Sequence, residues 1–499
     1  MKTYLLRTFL AAVIGCLSTI SCTDLTEKPY SEATPSNFLV NTATFESILI
    51  PAYANLRTYI WNYWNITQIA SDEVQVAISG DWGDGGQWVR INQHTFGARE
   101  WLMNDLWNDL FRGVSYSNNA IELFDKAADS VKEKALFMAE ARALRAWYYY
   151  LLCDTFGSVP IITVAQIDPN NPTKQATRAE VFAFIESELK AVLPNLLEKA
   201  PYGRFDKGVA NAILAKMYIN AQVWLGTPRW ADAVRAADAV INSGKYRLPT
   251  DYYSNFVLVN ESSPEIILAA AFSAKQDLGF PNMNFYMRTL HYNQVAASPW
   301  NGYCTIAEIY DAFDAKDPRR EVLWEGIQYS DLGWPAKGTT GKALKDRAGN
   351  PLSFTKYASI VSPTESNGIR VPKYQPDVNA PGGQAENDFI ILRLADIMLI
   401  KAEALIQQGN NTSALTVINQ VRTRARVTPL TSVTLDEVFK ERTYELLWEG
   451  VRRQDQIRWG NFLDTYSNKT TQSNMKYLLF PIPINAIAAN PNLKQNPGY

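Results

Sequence analysis

The 499-residue chain has only two histidines, His94 and His291, and four cysteines, two of which, Cys16 and Cys22, fall within the first 22 residues. So small a supply argues against a histidine- and cysteine-built zinc cage, and it leaves Cys153 and Cys304 as separate thiols rather than a disulfide framework. There is no HExxH, CxxC, GxSxG or Walker loop, so the usual metalloprotease, redox, serine-hydrolase and nucleotide chemistries have no foothold. The glycine-rich GDGGQ stretch at 83–87 has no strand pattern before it and no helix opening at dinucleotide-fingerprint spacing. Charge of one sign is also missing: the formal net charge is −2 and the pI about 6.0, which makes nucleic acid a poor candidate partner. No cofactor is implied. Long apolar runs are absent too, and the run Phe9–Ile14 is too short for a permanent membrane span.

That short run does have a use. Lys2 and Arg7 precede it, and small residues lead to Ser21-Cys22, the layout of a secretory signal ending at a lipoprotein cleavage site. We therefore expect residues 1–21 to be a signal peptide and Cys22 to be the lipidated residue. Cys16, behind Val13-Ile14-Gly15, is a rival, but cleavage there would leave a shorter apolar region interrupted by Arg7.

What the chain has in abundance is aromatic residues, 12% of the total, and helix-forming segments split between its two ends. Periodic stretches occur at about 44–59, 101–127, 118–157 and 180–244, and again from LRLADIMLIKAEALIQQGN to the end of the segment around 436–459. Alanine at helix interfaces and glycine at helix ends suit closely packed pairs, and WADAVRAADAV with its neighbour resembles a tetratricopeptide repeat of ~34 residues. The expected fold is therefore mostly α. A discontinuous tetratricopeptide-repeat-like scaffold (about 38–60, 101–245 and 390–460) should enclose a loop-rich insertion with few short strands (about 250–388). A second loop-rich region, 65–100, contains SGDWGDGGQWVRINQHTF, whose glycines oppose helix and should project Trp82 and Trp88 on a flexible backbone.

The most informative segment is DEVFKERTYELLWEGVRRQDQIRWG, read as one amphipathic helix with Glu449 and Arg453 as an i,i+4 pair. Arg442, Glu445, Glu449, Arg452 and Arg453 there suit a structural ion network. LFPIPINAIAANPNLKQNPGY follows, a proline-punctuated tail expected to lie as an extended strap over about 475–499. Together these segments resemble the C-terminal signature of the SusD/RagB family of outer-membrane nutrient-binding lipoproteins. The opening CTDLTEKP, ARALRAWYYYLL…FGSVP and RLADIMLIKAEAL fit the same family in the same order. The resemblance implies a single SusD-like domain over 22–499, lipid-anchored at the cell surface of the outer membrane. It also implies a glycan ligand, captured for a SusC-like TonB-dependent transporter, and no catalysis.

A sugar offers flat C–H faces ringed by hydroxyls, so its site needs indole or phenol platforms beside amide, carboxylate or guanidinium groups. Trp82, Trp88, Asp72, Arg90 and Asn92 offer that mixture in one region. Trp300, Asn301 and Tyr303, in a WNG segment ahead of DPR, offer it in another. The resemblance assigns the aromatic role to Trp82, Trp88 and Trp300, with Asp72 and Asn301 as polar partners. Trp61, Trp64, Trp101 and Trp107 are expected in helix-packing core. Two other readings stay open: a peptide-binding member of the family, and a glycoside hydrolase using a carboxylate pair such as Asp72-Glu73 or Asp81 and Asp84.

Overall fold

The computed structural model describes residues 42–78, 80–129, 131–273, 285–356, 359–379 and 385–499. The expected signal peptide and lipidated Cys22 lie outside these residues. In chain order the helices are α1 (Thr42–Ile69), α2 (Gln87–Asn92), α3 (Trp101–Asp125), α4 (Lys134–Thr155), α5 (Arg178–Val192), α6 (Lys207–Leu225) and α7 (Trp230–Ile241). There follow α8 (Phe285–Thr289), α9 (Ala307–Ala312), α10 (Leu394–Gln407), α11 (Asn411–Arg424), α12 (Leu435–Glu445), α13 (Arg452–Trp459) and α14 (Ile484–Ala489). None of them is long and apolar enough to cross a membrane.

Neighbouring helices pack as α1 on α3, α3 on α4, α4 on α5, α6 on α7 and α7 on α10, so helices from both ends of the chain share one core. Their starts are written locally. Thr177 and Glu180 form a reciprocal capping box ahead of α5, while Asp206 and Thr434 cap α6 and α12. Burial of Ala141, Ala143, Ala146, Tyr148, Tyr149 and Tyr150 on α4 makes the ARALRAWYYYLL segment core apart from the half-buried Arg142.

Strands are few and short: β1 (Gln75–Val76), β2 (Ile266–Ala270), β3 (Tyr303–Cys304), β4 (Gly326–Ile327), β5 (Ser353–Phe354) and β6 (Phe389–Arg393). They form three antiparallel pairs, β1–β3, β2–β6 and β4–β5. The register Gln75↔Cys304 and Val76↔Tyr303 ties the 65–100 region to the insertion, and that tie positions the site described below.

Three expectations need correction. First, α1 runs to Ile69, well past the expected end near 59, because its later polar residues point inward with partners: Asn62 donates to Asp109 at 2.7 Å and Asn65 accepts from Tyr303 at 2.8 Å. Buried asparagines disguised the helical period. Second, 435–459 is two helices rather than one. Between α12 and α13 the chain turns through Trp448 at φ 62° and Gly450 at φ 80°. A tryptophan in the left-handed region is strained, and here it is over-determined. Its carbonyl accepts from Trp64 Nε1 at 2.8 Å, and its amide and indole N–H donate to Glu73 at 3.0 and 3.1 Å. Glu449 and Arg453 therefore do not pair: Glu449 meets Arg393 at 2.6 Å and Lys373 at 3.0 Å, and Arg453 meets Asp154 at 3.3 Å. Third, the tail is only partly extended, since it contains a 3-10 turn at Met475–Leu478 and the short α14. It is nevertheless laced to the body, with Phe480 N donating to Thr155 O at 2.9 Å and Asn496 to Phe156 O at 3.0 Å.

The charged residues of the signature do form a buried network. Glu445 accepts from Arg319 at 2.9 Å, from Arg393 at 2.6 Å and from Arg424, while Glu441 takes Arg319 at 2.6 Å. Arg442 bridges Asp396 and Asp455, each at 2.8 Å. Burial alone would raise the Glu445 pKa, but the arginines at 424, 393 and 319 hold it well below the usual carboxylate range.

Candidate functional site

The two aromatic regions meet beside the β1–β3 pair. Trp82 sits in a 3-10 turn at Gly80–Gly86 that runs directly into α2. Its indole N–H donates to the Trp300 carbonyl at 2.8 Å, and its ring lies against Gly302 so closely that a Cβ there would come within 2.1 Å of Trp82. This contact explains the glycine of the WNG segment. The preceding Asn301 stands at φ 51°, a conformation asparagine tolerates better than most residues, and its amide is clamped. Its Oδ1 accepts from Arg370 at 2.7 Å and its Nδ2 donates to Glu365 O at 3.1 Å.

From this seat the indoles form a row, tilted between Trp300 and Trp82 and edge to face from Trp82 through Trp88 to Trp101. Ring centroids are separated by 6.4 Å for Trp300 and Trp82, 6.1 Å for Trp82 and Trp88, and 6.1 Å for Trp88 and Trp101. Tyr303 lies beneath, 5.0 Å from Trp82 and stacked on Trp64 at 5.8 Å, with an interplanar angle of 6°. Behind it the buried Arg288 guanidinium lies 3.5 Å from the Trp61 ring centroid, and burial brings its pKa down to about 9.

The structure thus brings Trp82, Trp88, Trp300, Asn301 and Tyr303 together, but not all as exposed platforms. Trp82 and Trp300 are half-buried and keep part of their faces outward. Trp88 is buried, its N–H given to Asp84, and is the keystone of the row rather than a projecting ring; Tyr303 and Asn301 are buried as well. The expected flexible backbone is instead a compact turn followed by a helix.

The remaining polar candidates are engaged elsewhere. Asp72 forms a two-pronged pair with Arg452, both contacts at 2.7 Å. Asn92 is buried and donates to Ile69 O at 3.2 Å and Val74 O at 3.3 Å. Arg90 grips Glu100 at 2.6 and 2.7 Å and holds Gly85 O at 2.6 Å, so it pins the turn bearing Trp82.

Two residues were misplaced or missed in the sequence. Trp101, expected in core, opens α3 and is 43% exposed at the end of the row; its position as the first residue of a helix after a loop was the available signal. Arg288 carried no local signal, because its partners on α1 are more than 200 positions away. Among the described residues, no group of three or more histidine, cysteine or acidic side chains is arranged to hold a metal.

The mostly helical, repeat-like scaffold places the protein in the solenoid class, with Trp82, Trp300 and Trp101 keeping part of their surface outward around the buried Trp88. Residues 264–478 match the sequence model of the SusD family, and residues 25–219 match a model described as starch-binding associating with outer membrane. Between them the two matches take in most of the chain, which belongs to the SusD/RagB family. It is 26% identical to the starch-binding protein SusD of Bacteroides thetaiotaomicron, over 83% of this chain and 80% of that one. Its fold is that of a SusD superfamily protein from Parabacteroides distasonis, with a TM-score of 0.75 and 21% identity over 92% of this chain and 100% of the other. Surface glycan-binding protein A from Bacteroides thetaiotaomicron, solved with laminarihexaose, also shares the fold, with a TM-score of 0.71 and 21% identity over 91% and 99% of the two chains.

Proposed function

We propose that this protein captures an oligosaccharide on the Trp300–Trp82–Trp101 edge and passes it to a SusC-like TonB-dependent transporter, while anchored to the outer surface of the outer membrane through Cys22. The row itself carries the reading: Trp300 and Trp82, with ring centroids 6.4 Å apart, and Trp101 beyond the buried Trp88 keep outward area and offer apolar faces to sugar rings. Trp88, Tyr303, Asn301, Arg90, Asp72 and Asn92 then act as positioning residues. The glycan class is supported by the starch-binding relative and by the laminarihexaose complex of a protein with the same fold. The anchor is supported by the Lys2-to-Cys22 layout and the outer-membrane association of the matched family.

Binding is favoured over hydrolysis because Asp72, Glu73 and Asp84 are all engaged by the fold, and the Asp81 side chain lies outside the described residues. Asp72 is paired with Arg452, Glu73 is buried under Trp448, and Asp84 holds the Trp88 N–H. A glycan array probed with the soluble protein lacking residues 1–22 tests the reading. Saturable glycan binding without release of reducing ends is expected. No glycan binding alongside retained transporter association would make the chain a protein-binding scaffold, and release of reducing ends would make it a hydrolase. Replacing Cys22 with alanine should move the protein from the membrane fraction to the soluble one, since an acyl chain contributes ~0.8 kcal/mol per buried CH₂.

A further inference from the structure

Away from the indole row, α1 and the turn at 202–204 frame an open pocket of about 320 Å³, floored by Ala269, Ala270 and Ala271. Its walls are aliphatic and phenolic: Leu49, Ile50 and Tyr53 on α1, and Tyr202 opposite. Ile50 is 61% exposed and Tyr202 38%, so the mouth presents apolar area to solvent.

Two arginines reach this pocket, and they differ. Arg204 is saturated, with two contacts to Glu140 at 2.6 and 3.1 Å and one to Glu46 at 2.8 Å. Arg57 is half-buried and makes one long hydrogen bond, 3.4 Å from Nη1 to the Ala271 carbonyl. No carboxylate among the described residues lies within ion-pair distance of it. Among the described residues lining the pocket Glu46 is the only acidic one, and it is committed to Arg204. Burial lowers the Arg57 pKa. A partly desolvated guanidinium without a counter-ion is a ready acceptor site for one, and its planar fork fits a carboxylate two-pronged.

We propose that this pocket is a second binding site, taking a ligand with a single carboxylate on an aliphatic body. The carboxylate pairs with Arg57, and the aliphatic part lies along Leu49, Ile50 and the Ala269–Ala271 floor. A sugar body suits the pocket poorly, because its hydroxyls would meet few free polar groups on these walls. The site stands apart from the indole row and does not depend on glycan binding there.

The probe is 4-methylpentanoate, titrated into the purified protein by calorimetry and protein-observed NMR. Its primary amide and glucuronate serve as the uncharged and polar-bodied controls. Saturable binding is expected for the acid, with the amide and glucuronate each weaker by about tenfold or more. Arg57→Gln should lose binding to the same extent with an unchanged thermal transition, because Arg57 contributes a single long contact to the fold. Ile50→Glu places a negative charge at the exposed mouth, leaves Arg57 intact and should also weaken the acid. Absence of saturable binding, equal affinity for acid and amide, tighter binding of glucuronate, or unaltered binding in both variants would each overturn the proposal.

Discussion

The buried ion network around α12 and the indole row beside β1–β3 are both dense clusters of long-range contacts, yet they tolerate change very differently. In the network every charge has several partners: Glu445 alone answers three arginines, and Arg393 answers Glu265, Glu445 and Glu449. Removing one partner leaves uncompensated charge in the core. In the row, the outer indoles meet solvent on one side, and only their seats are buried. The network ties α12 to the insertion, β6 and α11. The row is exposed enough to serve a ligand, and it depends on a few seats such as Gly302.

The largest effect should come from breaking the network. Glu445→Ala is expected to destabilise the fold by about 3–5 kcal/mol, read as a lowered chemical-denaturation midpoint with glycan affinity intact in the surviving folded fraction. Acid should mimic it. The Glu445, Glu265 and Asp396 carboxylates are held below their ordinary pKa against the opposing effect of burial, chiefly by Arg424 for the two glutamates and by Lys216 for Asp396. The stability they contribute is therefore complete above the unfolded carboxylate range near pH ~4 and is lost as pH falls below it. A pH–stability profile checks this.

An intermediate effect should come from the seat of the row. Gly302→Ala forces a methyl group into the Trp82 indole and should cost about 1–3 kcal/mol of stability, or displace Trp82 and weaken glycan binding. Replacing Trp88 would confound seat and core, which makes Gly302 the sharper probe.

A further effect, driven by pH rather than by a substitution, is expected at Glu73 under Trp448. Burial raises its pKa from 4.5 to about 8, with Arg452 and the Trp448 amide only partly opposing this. The folded state thus holds a proton that the unfolded state releases, and stability should fall as pH rises between those values, by at most ~1.4 kcal/mol per pH unit. Glu73→Gln, which keeps the shape and an acceptor for Trp448 N–H, should flatten that slope. A slope of equal size in the variant would mean that other groups produce it.

The same contrast separates what could be read in the sequence from what could not. Helices α4, α6, α7 and α10 announce themselves through local apolar period and alanine content, and α3 through its apolar period. The charged residues at 442–453 read as a structural ion network because such pairs mostly stabilise helices. The break at Trp448 did not read, because it is imposed by Trp64 and Glu73, more than 370 positions away. For the site, sequence identified the loops and most of the aromatics but not their orientation. Trp88 and Trp101 exchanged roles because α2 turns one inward and α3 begins on the other. Asp72, Arg90 and Asn92 looked like sugar-binding groups, but their partners, Arg452, Glu100 and the chain around Ile69 and Val74, become apparent only once the loop is folded.

The most direct test of the central claim is calorimetry of Trp300→Ala and Trp101→Ala with the best ligand from the glycan array, beside thermal unfolding of the same proteins. Both indoles reach solvent, and the fold leans on neither as it does on Trp88. The account predicts affinity reduced at least about thirtyfold for Trp300→Ala, the cost of ~2 kcal/mol typical of an aromatic anchor, with a smaller loss for Trp101→Ala. Thermal transitions should be close to wild type, and the affinity should change little with salt, since a neutral glycan displaces few counter-ions. Unchanged affinity in both variants with intact thermal transitions would contradict the account and move the glycan site off the indole row.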